Sequence, residues 1–250
     1  MQLDLDRRRV LAGAVLGTSM VAAPAALAQA GGSAVPMPLP TRDGKTTLTP
    51  DQALALLRDG NAAFLRGDPI RADFSPARRL ELAKGQAPFV AYVSCSDSRV
   101  PPELLFGRGL GELFIIRNAG NTIDTVAMGS IEFAVAQLGV PLIIVMGHEA
   151  CGAVKAAMAV VNENVHFPGA IGGMIEPIIP AVLAARGKPG DATENATRQN
   201  VRRTVNMLRK EADPVLLDPQ RHGKVQVVGA YYALSSGRVD FFDLPQGGAA

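Results

Sequence analysis

Two short stretches hold the side chains that metals prefer: Cys95-Ser96-Asp97-Ser98-Arg99 and His148-Glu149-Ala150-Cys151-Gly152. Together they offer two thiols, an imidazole and a carboxylate. That is a full donor set for zinc, which takes Cys, His and Asp tetrahedrally and, in catalytic sites, keeps one position exchangeable. Cys95, Asp97, His148 and Cys151 are therefore the candidate ligands of one zinc ion per chain. Thiolates rather than thiols bind metal. Cys151 stands where a helix is expected to begin, and free N–H groups there favour an anion. His148 and Cys151 are three apart on one turn, and Gly152 lets backbone come close. Cys95 and Asp97 occupy alternate positions of an extended turn, and Arg99 can grip the Asp97 carboxylate bidentately.

Each of these residues also has a plainer reading. Cys95 and Cys151 are the only two cysteines of the chain, and in an exported protein they could form one disulfide. His148 could be a packed polar residue, and Asp97–Arg99 a structural ion pair. The company each keeps favours the metal, since both cysteines sit in strand-to-helix turns beside other ligand types.

Those turns need strands in front of them. Phe89-Val90-Ala91-Tyr92-Val93 is a buried-strand run that ends at Cys95, and Leu142-Ile143-Ile144-Val145-Met146 ends at Gly147-His148. Leu113–Ile116 and Val225–Tyr231 read as two further strands, and Val239–Phe242 as an antiparallel edge after the Ser235-Ser236-Gly237 turn. Helices are expected from Thr49-Pro50, with a capping box closed by Gln52 and an apolar face of Leu54, Leu57, Phe64 and Leu65. Others are expected from Ser75-Pro76 to Gly85, and over 124–138, 151–162, 171–185 and 194–209. Strands alternating with helices predict an α/β fold: a mainly parallel sheet of about four strands plus an antiparallel edge strand, flanked by helices. Sites in such sheets form beyond the carboxyl ends of the strands, where Cys95 and His148 fall.

Of the 250 residues, 48% are apolar and 19% charged, with a net charge of +2 and no tryptophan. The basic residues are scattered and lack aromatic partners, which excludes a nucleic-acid surface. Residues 1–30 read as a targeting segment: Arg7-Arg8-Arg9 precedes a weakly apolar run that ends in small-residue cleavage sites at Ala28 and Ala30. The paired arginines resemble a twin-arginine signal, although Ala12 stands where Lys is common. The expected location is the bacterial periplasm. The run is shorter than the roughly 20 residues of a span and is broken by Pro and Gly, so no stable membrane insertion is expected after cleavage. Residues 31–48 read as a flexible linker and 49–250 as the catalytic domain.

The two-part motif resembles that of the β-class carbonic anhydrases. Leu57-Arg58-Asp59-Gly60-Asn61 and Gly111 to Asn121 match as well, so the resemblance covers about Thr49 to Leu244. It implies that Cys95, His148 and Cys151 are permanent zinc ligands, with water or hydroxide at the fourth position in the active form. Asp97 would either take that position or be held away by Arg99, and in the latter state it would orient the hydroxide. These two are therefore the candidate catalytic residues. The implied reaction is reversible hydration of carbon dioxide to bicarbonate and a proton. The implied assembly is a homodimer or tetramer with the substrate cleft at the subunit interface.

Two thiolates and a neutral imidazole cancel the charge of the ion, whereas a three-histidine site keeps it and lowers the pKa of bound water to about 7. Activity rising toward alkaline pH is the expectation. Hydrolysis of carbonyl sulfide or carbon disulfide at the same site, and non-catalytic zinc binding, are the alternatives. His166 and His222 are weak candidates for proton shuttles, and Asn118, Gly120 and Asn121 read as turn formers. A bicarbonate pocket that uses a tryptophan, known in part of the family, is not expected here.

Overall fold

The computed structural model describes residues 39–70 and 72–245. The expected leader and the first part of the expected linker lie outside them. The rest of that linker is not irregular: β1 (Thr41–Arg42) and β2 (Lys45–Thr46) pair as an antiparallel hairpin. Its turn is Asp43-Gly44, with φ of 52° and 74°, the two-residue form whose twist matches the strands. The prolines and glycines on either side hide that signal in the sequence.

Helix α1 (Pro50–Arg66) begins with the expected capping box. Gln52 N–H donates to Thr49 Oγ1, and the Thr49 N–H donates to Gln52 Oε1. Its buried face is Ala53, Leu54, Leu57, Gly60 and Asn61, while Phe64 and Leu65 of the expected apolar face lie on the outside. Asn61 ties the helix to the far end of the chain: Nδ2 donates to the Gly237 carbonyl at 3.0 Å and Oδ1 accepts from Val239 N–H at 2.9 Å. Helix α2 (Pro76–Leu82) is capped by Ser75 and stops short of Gly85.

Five strands make the main sheet: β3 (Val90–Cys95), β4 (Leu113–Asn118), β5 (Leu142–His148), β6 (Gln226–Tyr232) and β7 (Val239–Asp243), in the order β4-β3-β5-β6-β7. The first four are parallel and β7 is an antiparallel edge, as the sequence predicts. Every residue of β3 and β5 is buried. Alternate side chains serve opposite faces. Tyr92, Ile144 and Met146 pack with Leu57 and Phe106 on one side, and Val93, Ile143 and Val145 with Ile131, Val201 and Val205 on the other.

The remaining helices are α3 (Pro102–Leu105), α4 (Thr125–Ala136), α5 (Gly152–Glu163), α6 (Ala170–Ile175), α7 (Ile179–Ala185), α8 (Ala192–Arg209) and α9 (Pro214–Arg221). The single helix expected over 171–185 is broken by a 3-10 turn at Glu176–Ile178. Pro177 and Pro180 lack the N–H groups an unbroken helix would use. The short, proline-initiated α3 and α9 carry too little periodicity to be read in advance.

Gly60 has no room for a side chain, because a Cβ there would lie 2.1 Å from the Phe106 carbonyl oxygen. The obstacle is backbone and cannot swing away. Gly60→Ala should lower unfolding stability by roughly 1–3 kcal/mol, the usual range for overpacking, in a urea titration with an unchanged slope.

Candidate metal centre

β3 and β5 are neighbours and pair in register from Ala91↔Ile143 to Ser94↔Met146. Cys95 is thereby brought level with Gly147 at the carboxyl end of the sheet. The chain leaves β5 through His148 and reverses at Ala150, whose φ is 55°. A left-handed conformation is costly for a residue with a Cβ. It turns Cys151 back as the N-cap of α5. Cys95, His148 and Cys151 end with their donor atoms within 4.8 Å of one another.

The cluster is closed off from solvent: His148 and Cys151 are 0% exposed and Cys95 5%. The two sulfurs are 4.0 Å apart and both cysteines are free. A disulfide bond is about 2.05 Å long, so the plainer reading of the pair fails. Tetrahedral zinc at about 2.3 Å from each sulfur would hold the two about 3.8 Å apart, close to what is observed. His148 Nδ1 lies 2.9 Å from the Glu149 carbonyl, which can only accept, so Nδ1 carries the proton. That leaves the lone pair on Nε2, and this buried atom has no hydrogen-bond partner. A fully buried acceptor without a partner calls for one. The donor chemistry, the sulfur spacing and the orphaned nitrogen all fit zinc.

The electrostatics favour ionised sulfur. The Cys95 thiol is lowered to about 4, first by the hydrogen bond from Cys151 and then, against the cost of burial, by contacts with His148 and the Gly120 N–H. The Cys151 thiol is pushed up, because it supplies the proton of that bond and is itself buried. A cation bound here would displace the proton of the Cys151–Cys95 hydrogen bond.

Of the four expected ligands, Asp97 alone stands outside the cluster. Arg99 holds its carboxylate through Nε at 2.9 Å, Nη2 at 2.7 Å and the backbone N–H at 3.0 Å. Those bonds push the Asp97 carboxyl well below the usual range. Its Oδ2 still comes within 3.8 Å of His148 Nε2. His166 and His222 are exposed and, among the described residues, belong to no metal-type cluster. Two residues do more here than the sequence reveals. Arg117 donates to the carbonyls of Cys95 at 2.9 Å and Asp97 at 2.6 Å, and so clamps the loop between them. Gly120, read as a turn former, donates its N–H to Cys95 Sγ at 3.4 Å.

A parallel sheet with a thiol–imidazole–thiol cluster at its carboxyl end, and a carboxylate poised beside it, defines a zinc-dependent α/β enzyme. Comparison with known proteins narrows this. A family model described as carbonic anhydrase matches residues 90–239. A carbonic anhydrase of Mycolicibacterium smegmatis is 37% identical over 191 residues, 76% of this chain and 92% of that protein. Tetrameric β-carbonic anhydrases of Sordaria macrospora superpose with a TM-score of 0.60 at 26% identity, over 67% of this chain and 87% of theirs. The β-carbonic anhydrase CafA of Aspergillus fumigatus does so with 0.61 at 28%, over 68% and 83%. The chain belongs to the β-class carbonic anhydrase family.

Purified protein should carry about one zinc per chain, and Cys151→Ala should lose it. Titration of wild type after chelation should count both cysteines as free thiols. Stoichiometric zinc in the variant, or a disulfide in the native protein, would contradict the assignment.

Proposed function

We propose that the chain catalyses the reversible hydration of carbon dioxide to bicarbonate and a proton. The observation that carries the reading is the convergence of Cys95 Sγ, His148 Nε2 and Cys151 Sγ in a buried cluster, in a chain whose relatives are named carbonic anhydrases. Cys95, His148 and Cys151 would hold the zinc, which when bound acidifies water and so supplies a nucleophile at moderate pH.

The protein's own groups do the rest. Glu149 fixes the His148 tautomer through its carbonyl and keeps Nε2 turned inward. Asp97 is the acceptor: its depressed pKa keeps it ionised throughout the working range, able to take a hydrogen bond from a reacting hydroxyl and to orient it. Arg99 aims that carboxylate and prevents it from joining the ligand cluster. Arg117 holds the Asp97 backbone so that only the side chain can move. A carbon dioxide hydration assay on purified protein tests the reading, and a zinc-loaded chain without activity would overturn it.

The chain is also proposed to self-associate as a homodimer or tetramer. Support comes from the tetrameric Sordaria macrospora relatives and from the exposed Phe74, Leu80, Val126 and Phe133. Export to the periplasm by the twin-arginine route rests on Arg7-Arg8 and the weakly apolar run behind them. Among the described residues no helix is long and apolar enough to cross a membrane. Changing Arg7 and Arg8 to Lys should leave precursor in the cytoplasm. Mature protein appearing outside at the normal rate would sink the export reading.

The Asp97–Arg99 pair yields a sharper test. Arg99→Ala removes the group that holds the carboxylate away, so Asp97 should turn to the ligand cluster. Zinc should be retained and activity should fall by two orders of magnitude or more. Asp97→Ala should also retain zinc and lose roughly 10²–10⁴-fold, the worth of a positioned proton acceptor, but with the fourth position left to solvent. Structures of the two variants separate the cases. Near-normal turnover in Arg99→Ala would make the pair merely structural.

A further inference from the structure

Helix α8 turns three polar side chains inward. Thr197, Asn200 and Thr204 are 1%, 3% and 7% exposed, on the face that also buries Ala196, Val201 and Val205. Buried polar groups are nearly always paired, and Asn200 finds its partner 80 residues away: Nδ2 donates to the Gly120 carbonyl at 2.9 Å. Gly120 is the residue whose N–H meets Cys95 Sγ.

Glycine is required at 120. Its φ is 75°, and a Cβ would lie 2.6 Å from Ile178 Cδ1 and 3.0 Å from Ala153 Cβ. The same lack of a Cβ lets the backbone rotate more freely than at any other residue. The Gly120 N–H points at the sulfur only while both of its torsions are held. The turn Ala119–Asn121 gains no side-chain hydrogen bond from the next residue, because Asn121 is fully buried with both side-chain amide atoms unpartnered. Asn200 grips the carbonyl side of Gly120 from a long, packed helix.

We infer that Asn200 is a positioning residue for the metal centre: by anchoring the Gly120 carbonyl it fixes the Gly120 N–H on Cys95 Sγ and thereby sets the donor strength of that sulfur. The inference rests on the proposed zinc ligation by Cys95, His148 and Cys151. An N–H donated to a thiolate stabilises its lone pairs, so less of their charge reaches the metal and charge transfer from sulfur needs more energy. Losing the anchor frees the Gly120–Asn121 peptide and with it the torsions of Gly120, which weakens that bond. Cys95 Sγ is then also held less firmly in place for the metal, and that loss of pre-organisation is what lowers affinity. Groups behind a ligand commonly change metal affinity by about 10–100-fold when removed.

The test uses the full chain with cobalt(II) in place of zinc. Asn200→Leu should move the thiolate-to-cobalt absorption band to longer wavelength and raise the cobalt dissociation constant about ten-fold, read by competition with a chelator. Asn200→Ser, too short to reach the carbonyl, should do the same and serves if the leucine variant does not fold. Thr204→Val is the control, since Thr204 lies on the same buried face but donates only to the Asn200 carbonyl. It should lower the melting temperature and leave the band in place. A folded Asn200→Leu or Asn200→Ser protein with the wild-type band and affinity overturns the inference, as does an equal shift in Thr204→Val. A wild-type chain that shows no thiolate-to-cobalt band overturns the metal reading itself.

Discussion

Two sulfurs whose residues lie 56 apart in the chain can share an ion only if the strands that deliver them end at the same height. The parallel pairing of β3 with β5 meets that condition. Its register runs Ala91↔Ile143, Tyr92↔Ile144, Val93↔Val145, Ser94↔Met146, and both strands are buried on both faces. A slip of one residue would exchange the two faces along the whole strand. Tyr92 would then leave its edge-to-face contact with Phe106, and Cys95 would turn away from His148. The packing of large side chains on the two faces therefore sets the register, and the register sets the metal geometry.

Burying thiolates is costly unless their charge is met. With a divalent cation the two sulfurs and neutral His148 make a neutral group, which is the form a closed interior tolerates. The charge that remains is placed at the edge. Asp97 is 17% exposed and Arg99 52%, and an ion pair that open to water adds little to stability. Three N–H groups converge on one carboxylate for a return that small. Stability does not account for the arrangement, whereas holding the carboxylate in one orientation beside the cluster does.

The sheet and the residues that converge at its end, Cys95, His148 and Cys151, were legible because their signals are local. Solid apolar runs mark β3 and β5, and each ends directly on a residue of the cluster. The Thr49–Gln52 capping box was readable for the same reason. What the sequence concealed depends on contacts across long separations. Arg117 gives no sign that its guanidinium will reach back to Cys95 and Asp97, and Gly120 looks like any turn glycine. The Asp43-Gly44 hairpin was masked by composition, since a window rich in Pro and Gly outweighs a two-residue turn. Asn200 could have been suspected, because it is a polar residue at helical spacing among the inward Ala196, Val201 and Val205, a pattern that costs energy unless a partner waits inside.

Helix α4 resists explanation within one copy of the chain. It is apolar nearly all round, which is the pattern of a helix buried on every side. Yet Val126 is 77% exposed and Phe133 50%, the latter stacked on Phe114 of β4 at 6.2 Å between centroids. β4 is itself an edge strand, with one side unpaired, a feature that soluble proteins cover or disguise. Self-association accounts for both at once, since a second copy over this edge would bury the apolar helix face. β3 lies next to β4 in the sheet, so a subunit seated there would also border the strand ends that carry Cys95 and Asp97. The surface that a lone chain cannot satisfy is continuous with the edge of the site.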